Sequence, residues 1–192
     1  MRKVIVSLNT TLDGFMSGPH CELDWHFKYW TPDMGDALCT QLSRADTILL
    51  GRITFNAMAA YWPAKIMDTS SSREDIAFAN MMNCCEKIVF SKTLSNVSWS
   101  NSRIATRSLA AEIKSLKGAP GRDIIVYGSG KLIASLVKNQ LPDEYQVWVH
   151  PVFLGRGKPF FECFTQTLQL KLLHKQAFTS GVVLLTYHSE NI

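Results

Sequence analysis

Asp46-Thr47-Ile48-Leu49-Leu50-Gly51-Arg52-Ile53-Thr54-Phe55 decides the reading of this chain: an apolar run breaks at a glycine, and a cation and a hydroxyl follow at once. Such a run reads as a buried strand that ends near Leu50. A helix opening over Arg52 to Thr54 leaves free N–H groups beside those two side chains, and Gly51 lets a ligand phosphate approach the backbone. The same pattern serves ordinary strand-to-helix packing, so it needs support from elsewhere. Asp123-Ile124-Ile125-Val126-Tyr127-Gly128-Ser129-Gly130-Lys131-Leu132-Ile133 supplies it: a second β-branched run empties into Gly-x-Gly and then into a helical pattern of Leu132, Leu136 and Val137. On parallel strands the two turns would bracket a pyrophosphate at the carboxyl edge of one sheet. Ile133 stands where the third glycine of a dinucleotide fingerprint would fall, which argues against an orthodox Rossmann motif.

The rest of the pattern surrounds these turns with alternating elements. Residues 3–9, 47–50, 87–91 and 124–127 read as strands, and 33–43, 54–60, 70–83, 109–116 and 130–139 as helices, with Pro63 stopping the one that follows Gly51. Beyond Leu141-Pro142, residues 145–152, 168–178 and 182–187 alternate apolar and polar side chains, the last two forming a hairpin across Thr179-Ser180-Gly181. Strand-helix units first and antiparallel strands last predict an α/β fold. Three layers, α/β/α, would enclose a mixed, mostly parallel sheet with a C-terminal antiparallel hairpin.

With 192 residues, 46% of them apolar, the chain can bury a full core, and its length predicts a single domain over 1–192. The net charge of +4 is scattered, without a basic stripe or a recognised module, so an anionic cofactor suits it better than nucleic acid. No apolar run approaches the roughly 18 residues of a membrane span. Met1-Arg2-Lys3 enters a strand directly, and Cys21, Cys39, Cys84, Cys85 and Cys163 are odd in number without paired spacing. The expectation is a cytoplasmic protein with reduced thiols. Adjacent Cys84 and Cys85 are too close for an ordinary disulfide and read as small apolar side chains at a helix end. His20, Cys21, Glu22, Asp24 and His26 are dense in ligand-capable groups, but no second cluster completes a zinc site, so they read as a polar loop and no metal is expected.

Ser7-Leu8-Asn9-Thr10-Thr11-Leu12-Asp13-Gly14-Phe15-Met16, Leu23-Asp24-Trp25, Gly51-Arg52-x-Thr54-Phe55, Ile88-Val89-Phe90-Ser91-Lys92-Thr93 and Val126-Tyr127-Gly128-Ser129-Gly130 occur in an order that resembles the dihydrofolate reductase fold. Leu141-Pro142-Asp143-Glu144-Tyr145 and His150-Pro151-Val152-Phe153-Leu154-Gly155-Arg156-Gly157-Lys158-Pro159-Phe160-Phe161 narrow the likeness. They are similar to the reductase domain of riboflavin biosynthesis, the RibD C-terminal family, and to its stand-alone bacterial relatives. The resemblance implies an NADPH-binding sheet, commonly a homodimer, and hydride transfer to a small heterocyclic or carbonyl metabolite, as in 5-amino-6-(5-phosphoribosylamino)uracil reductases. Matched residue by residue, it assigns cofactor contacts to Asn9, Gly51, Arg52, Thr54, Ser91, Lys92, Gly128, Ser129, Gly130, Lys131 and Leu132, with Ser91, Lys92 and Arg52 near the 2′-phosphate.

Hydride transfer asks the protein for a dry slot and a proton route. Asp13 and Asp36 are the candidate acids, although Asp13-Gly14 reads equally as a turn and Asp36 as a solvated helix position. Thr11, Trp25 and Phe55 are candidates to line the substrate, the two aromatics either sandwiching a flat ring or joining the core. The strand 145–152 and the loop 153–161, in which Gly155 and Gly157 lie between aromatics, are expected at a two-fold interface. A non-catalytic NADP(H)-binding or sensing protein is the alternative.

Overall fold

The computed structural model describes residues 1–160 and 167–189. Its strands in chain order are β1 (Val4–Thr11), β2 (Phe15–Ser17), β3 (Ala45–Gly51), β4 (Glu86–Phe90), β5 (Ser102–Ile104), β6 (Asp123–Val126), β7 (Glu144–His150), β8 (Lys158–Pro159), β9 (Leu170–Ala177) and β10 (Val183–Ser189). Eight of them make one sheet in the order β5-β4-β3-β6-β1-β7-β10-β9, while β2 and β8 form a small antiparallel pair. Pairing is parallel from β5 through β7 and antiparallel from β7 through β9. The mixed sheet and its C-terminal hairpin are as the sequence predicts.

The helices are α1 (Asp24–Phe27), α2 (Pro32–Ser43), α3 (Arg52–Lys65), α4 (Arg73–Cys84), α5 (Leu109–Gly118) and α6 (Gly130–Lys138). Alternation along the strands divides the interior in two. Ile48, Leu50, Ile125 and Trp148 face α2, α3 and α4, whose Leu38, Phe55, Trp62 and Phe78 join the same core. Val6, Leu49, Ile124 and Val126 face the other way, onto Ile113 of α5 and Leu136 of α6. Strands buried on both faces read as continuous apolar runs, which is why β3 and β6 stand out in the sequence.

Several elements differ from expectation. Pro63 does not stop α3; it sits inside the last turn, where it leaves the Ala59 carbonyl without its i+4 donor and only Ala64 and Lys65 follow, and its neighbour Trp62 is buried against Phe78. The short β2, β5, β8 and α1 carry too few residues to show a period. Within residues 145–152, β7 is enclosed between β1 and β10, so neither of its edges is free to pair with a second copy. Phe160 is buried and Phe153 exposed; Phe161 and Cys163 lie outside the described residues. Cys84 is exposed and Cys85 buried, both as free thiols. No described helix is long and apolar enough to cross a membrane.

Candidate active site

The parallel order brings the two glycine turns together. β3 and β6 are neighbours, and Gly51 N–H donates to the Gly128 carbonyl at 3.1 Å. α3 begins directly after Gly51 and α6 directly after Ser129, following a cis Gly128-Ser129 peptide. Neither start carries a capping side chain or an acid in its first turn. Each of the other four described helices has an acid there, and Ser72 and Ser108 additionally cap α4 and α5. Two partially positive helix ends are therefore left to meet an anion from outside. Arg52 and Lys131 are exposed beside them and Thr54 is half-buried between them.

Gly51 has a different duty from the one expected. A Cβ there would lie 2.4 Å from Ser129 Oγ and 3.2 Å from Ser129 N, so its bareness lets the second turn pack on the first. Gly128, at φ +91, occupies the left-handed region and faces Thr54 Oγ1, 3.4 Å from a would-be Cβ. Leu132 is buried in the core under α6 and can offer a ligand only its backbone. Beyond β3, the loop after β4 brings Ser91 and the exposed Lys92 to the same edge; Ser91 Oγ accepts from the N–H groups of Thr93 and Leu94 at 3.1 and 3.0 Å, leaving its O–H to donate.

The ends of β1 and β7 form the other half. Asn9 Oδ1 accepts from His150 Nε2 at 3.0 Å across paired strands. His150 is fully buried, edge to face with Trp25 at 5.1 Å and 6.1 Å from the buried His26 ring. Loss of solvent, and then the neighbouring His26, pull the His150 pKa down to about 4. Desolvation lowers that of His26 as well. The expected polar loop around His26 is thus an aromatic nest in which His26 also meets Phe27 and Trp30. Among the described residues no group of His, Cys, Asp and Glu is arranged to hold a metal.

The two acids do not fit the role foreseen for them. Asp13 Oδ2 accepts from Gly155 N at 2.8 Å and Leu154 N at 3.0 Å, and its Oδ1 from Thr11 Oγ1 at 2.5 Å. Partial desolvation pushes its carboxyl up, but these donors outweigh it and leave the pKa below the usual value. Asp13 is an ionised anchor for the loop after β7, and Thr11 is spent within the same turn, its Oγ1 also accepting from Phe15 N. Asp36 is exposed on α2, close enough to Cys39 to act on it electrostatically alongside Glu74 of α4. Phe55 is no partner for Trp25: it is buried in the core, tilted against Trp99 at 6.0 Å.

Sequence reasoning did not pick out His150 or Gln41 as site residues. Gln41 of α2 donates to Ser7 Oγ at 2.8 Å and to Gln146 Oε1, and accepts from the Tyr127 hydroxyl at 3.1 Å. This buried network ties Tyr127, before the Gly128 turn, to the strand that carries Asn9. The available signal was the pattern Gln146-Trp148-His150, polar side chains at inward positions of an internal strand.

An eight-stranded, mostly parallel sheet whose carboxyl edge carries two open helix ends is the dihydrofolate reductase-like arrangement. The chain is 12% identical to dihydrofolate reductase from Enterococcus faecalis, with a TM-score of 0.63 over 98% of this chain and 97% of that one. A protein of Shewanella sp. PV-4, provisionally named for riboflavin biosynthesis, matches with a TM-score of 0.76 at 22% identity, covering 98% and 99% of the two chains. By sequence, the chain is 36% identical to the uncharacterized protein YyaP of Bacillus subtilis (strain 168) over 187 residues, 97% of this chain and 95% of that protein. Residues 2–184 match the RibD C-terminal domain, and the chain belongs to that family.

Proposed function

We propose that this protein is an NADPH-dependent reductase that transfers hydride to a small heterocyclic or carbonyl metabolite. The observation that carries the reading is the pair of acid-free, uncapped helix ends on adjacent parallel strands, an arrangement suited to a pyrophosphate. Membership of the RibD C-terminal family supports it. The backbone at the start of α3 and α6, with Thr54 and Ser129, would hold the pyrophosphate. Arg52, Ser91 and Lys92 would meet the 2′-phosphate, and Asn9 would border the nicotinamide. The bound cofactor supplies the hydride. Trp25 and the buried ends of β1 and β7 exclude water, while Asp13 holds the neighbouring loop in place.

A non-catalytic NADP(H)-binding role is the second reading, and one observation favours it: Asp13 is committed to turn donors and Asp36 is exposed, so neither is an evident proton donor. Oxidation of bound NADPH across a panel of cyclic amides, imines and carbonyl compounds separates the two. Turnover supports the enzyme, and tight binding without turnover supports the sensor. A homodimer belongs to the same proposal, with the exposed edge strand β9 and Phe153 as the surface available to a second copy.

The cofactor test is direct. Charge-assisted contacts contribute about 1.5–3 kcal/mol each, so Arg52→Ala should weaken NADPH by roughly ten- to hundredfold and NADH far less. Calorimetric titration giving equal losses for both would remove Arg52 from the 2′-phosphate.

A further inference from the structure

The paired part of β6 ends at Val126, and the Gly128 turn beyond it is held from two sides. Backbone bonds tie it to β3: Tyr127 N donates to the Leu49 carbonyl at a long 3.4 Å, and the Gly128 carbonyl accepts from Gly51 N at 3.1 Å. The other tie is a side chain. Tyr127, half-buried against the core, donates its O–H to Gln41 Oε1 at 3.1 Å. Desolvation pushes that phenol well up, so it keeps its proton and remains a donor. Gln41 Nε2 donates in turn to Ser7 Oγ at 2.8 Å and to Gln146 Oε1, and Ser7 Oγ also accepts from Trp148 Nε1 at 3.2 Å. Gln41, Ser7, Gln146 and Trp148 are all more than nine-tenths buried. An apolar side chain at 41 would fill the same space without imposing a direction, whereas a hydrogen-bonded amide fixes both length and direction. Ser7 stands two positions before Asn9 on β1, so one side chain of α2 sets where the glycine turn lies relative to the end of β1.

Resting on the reductase reading above, we propose that Tyr127 and Gln41 are positioning residues for the cofactor: their hydrogen bond sets the place of the Gly128 turn, and with it the start of α6, against the pyrophosphate. Neither is asked to touch the ligand. Without the phenol the turn keeps its bonds to β3 but loses its hold on α2, and Gln41 Oε1 is left in the core without its donor. The turn then swings about β3, and N–H groups aimed at a phosphate lose their alignment. The 2′-phosphate end is spared, since Arg52 opens α3 and Ser91 and Lys92 follow β4, outside the network.

The experiment compares the full chain with its Tyr127→Phe variant. Calorimetry follows NADPH and NADH, phosphorus-31 spectra follow bound NADPH, and nitrogen-15 spectra follow the protein with and without it. Tyr127→Phe should weaken both cofactors by the same factor, roughly three- to tenfold, because both carry the pyrophosphate. The bound pyrophosphate signals should shift while the 2′-phosphate signal stays in place. A hydroxyl that only stabilises the core would lower the melting temperature and leave both affinities and all bound phosphorus signals unchanged, and that result would overturn the inference. If the variant folds poorly, the wild type decides: NADPH should move the Gln41 side-chain amide signal, and a signal that stays put in the saturated protein counts against the tie. A wild type that binds neither cofactor would sink the reductase reading instead. The tie is then read without ligand, from the Ser129 and Gly130 amide signals, which should shift and exchange faster in Tyr127→Phe; unmoved signals would overturn it too.

Discussion

Single residues at the site separate shape from chemistry. Gly128 sits at φ +91, whereas Gly130 is the first residue of α6 and is absent from the positive-φ glycines. Gly128→Ala should therefore cost stability, on the order of 1 kcal/mol or more. Gly130→Ala should hold or raise it by up to about 1 kcal/mol, since alanine is the better helix former. If a phosphate approaches the α6 backbone, Gly130→Ala should nonetheless weaken NADPH. Thermal melting without ligand, followed by fluorescence titration, reads both quantities, and unchanged affinity would remove Gly130 from the phosphate cradle. His150 gives a second residue-scale test. Its folded pKa of about 4 lies below the unfolded value near 6.5, so the unfolded chain binds the extra proton between those limits. Stability should fall as pH drops through that window and level off below it, by up to roughly 3 kcal/mol. His150→Gln should flatten the slope, leaving the smaller share due to His26; melting curves with parallel slopes would place the titration elsewhere.

At the level of elements, α2 shows how much was readable and where reading stops. Its span is close to the one predicted, because Met34, Leu38 and Leu42 repeat on one buried face. Its placement is fixed by Asp33, which reaches the β9–β10 turn through Thr179 N at 2.9 Å and Thr179 Oγ1 at 3.0 Å. The neighbouring Thr31 hydroxyl and then the hydrogen bonds from Thr179 pull the Asp33 carboxyl down to about 2. A link across 146 positions leaves no trace in local pattern. Asp33→Ala should loosen this tie, and hydrogen exchange at the β9–β10 turn should quicken while the middle of β1 stays protected; uniform exchange would mean the turn is held by other contacts. The same limit hid the site's interior. Both glycine turns were legible because glycine punctuates an apolar run locally. The pairing of His150 with Asn9 spans 141 positions and depends on β7 lying beside β1, which no motif spells out.

For the molecule as a whole, the sheet ends in two unlike edges. β5, at one side, is three residues long, whereas β9, at the other, is eight residues long and exposed throughout, with Leu172 and Leu173 about half uncovered. Long bare edges invite pairing, and Lys171 and Lys175 set charges among the leucines that blunt it. If a second copy covers this edge, sedimentation should give a dimer at micromolar concentration and Leu172→Glu should shift it toward monomer. A wild-type monomer at that concentration would defeat the proposal. The order of elements along the sheet was only partly readable. Strand-helix alternation implies parallel neighbours, but not that the first strand lies in the middle.

That central position has a consequence for synthesis. β1 pairs on one side with Ile124 to Val126 and on the other with Glu144 to His150, so it is synthesised more than a hundred residues ahead of either partner. Until those partners emerge, Val4, Ile5, Val6 and Leu8 have two open edges and no sheet to join. Closing such distant parallel pairs is slow, and the nascent chain is exposed to misassociation while it waits. A nascent chain whose emerged part ends just before residue 144 should therefore carry β1 unprotected on one edge, and emergence of residues 144–150 should enclose it on both sides.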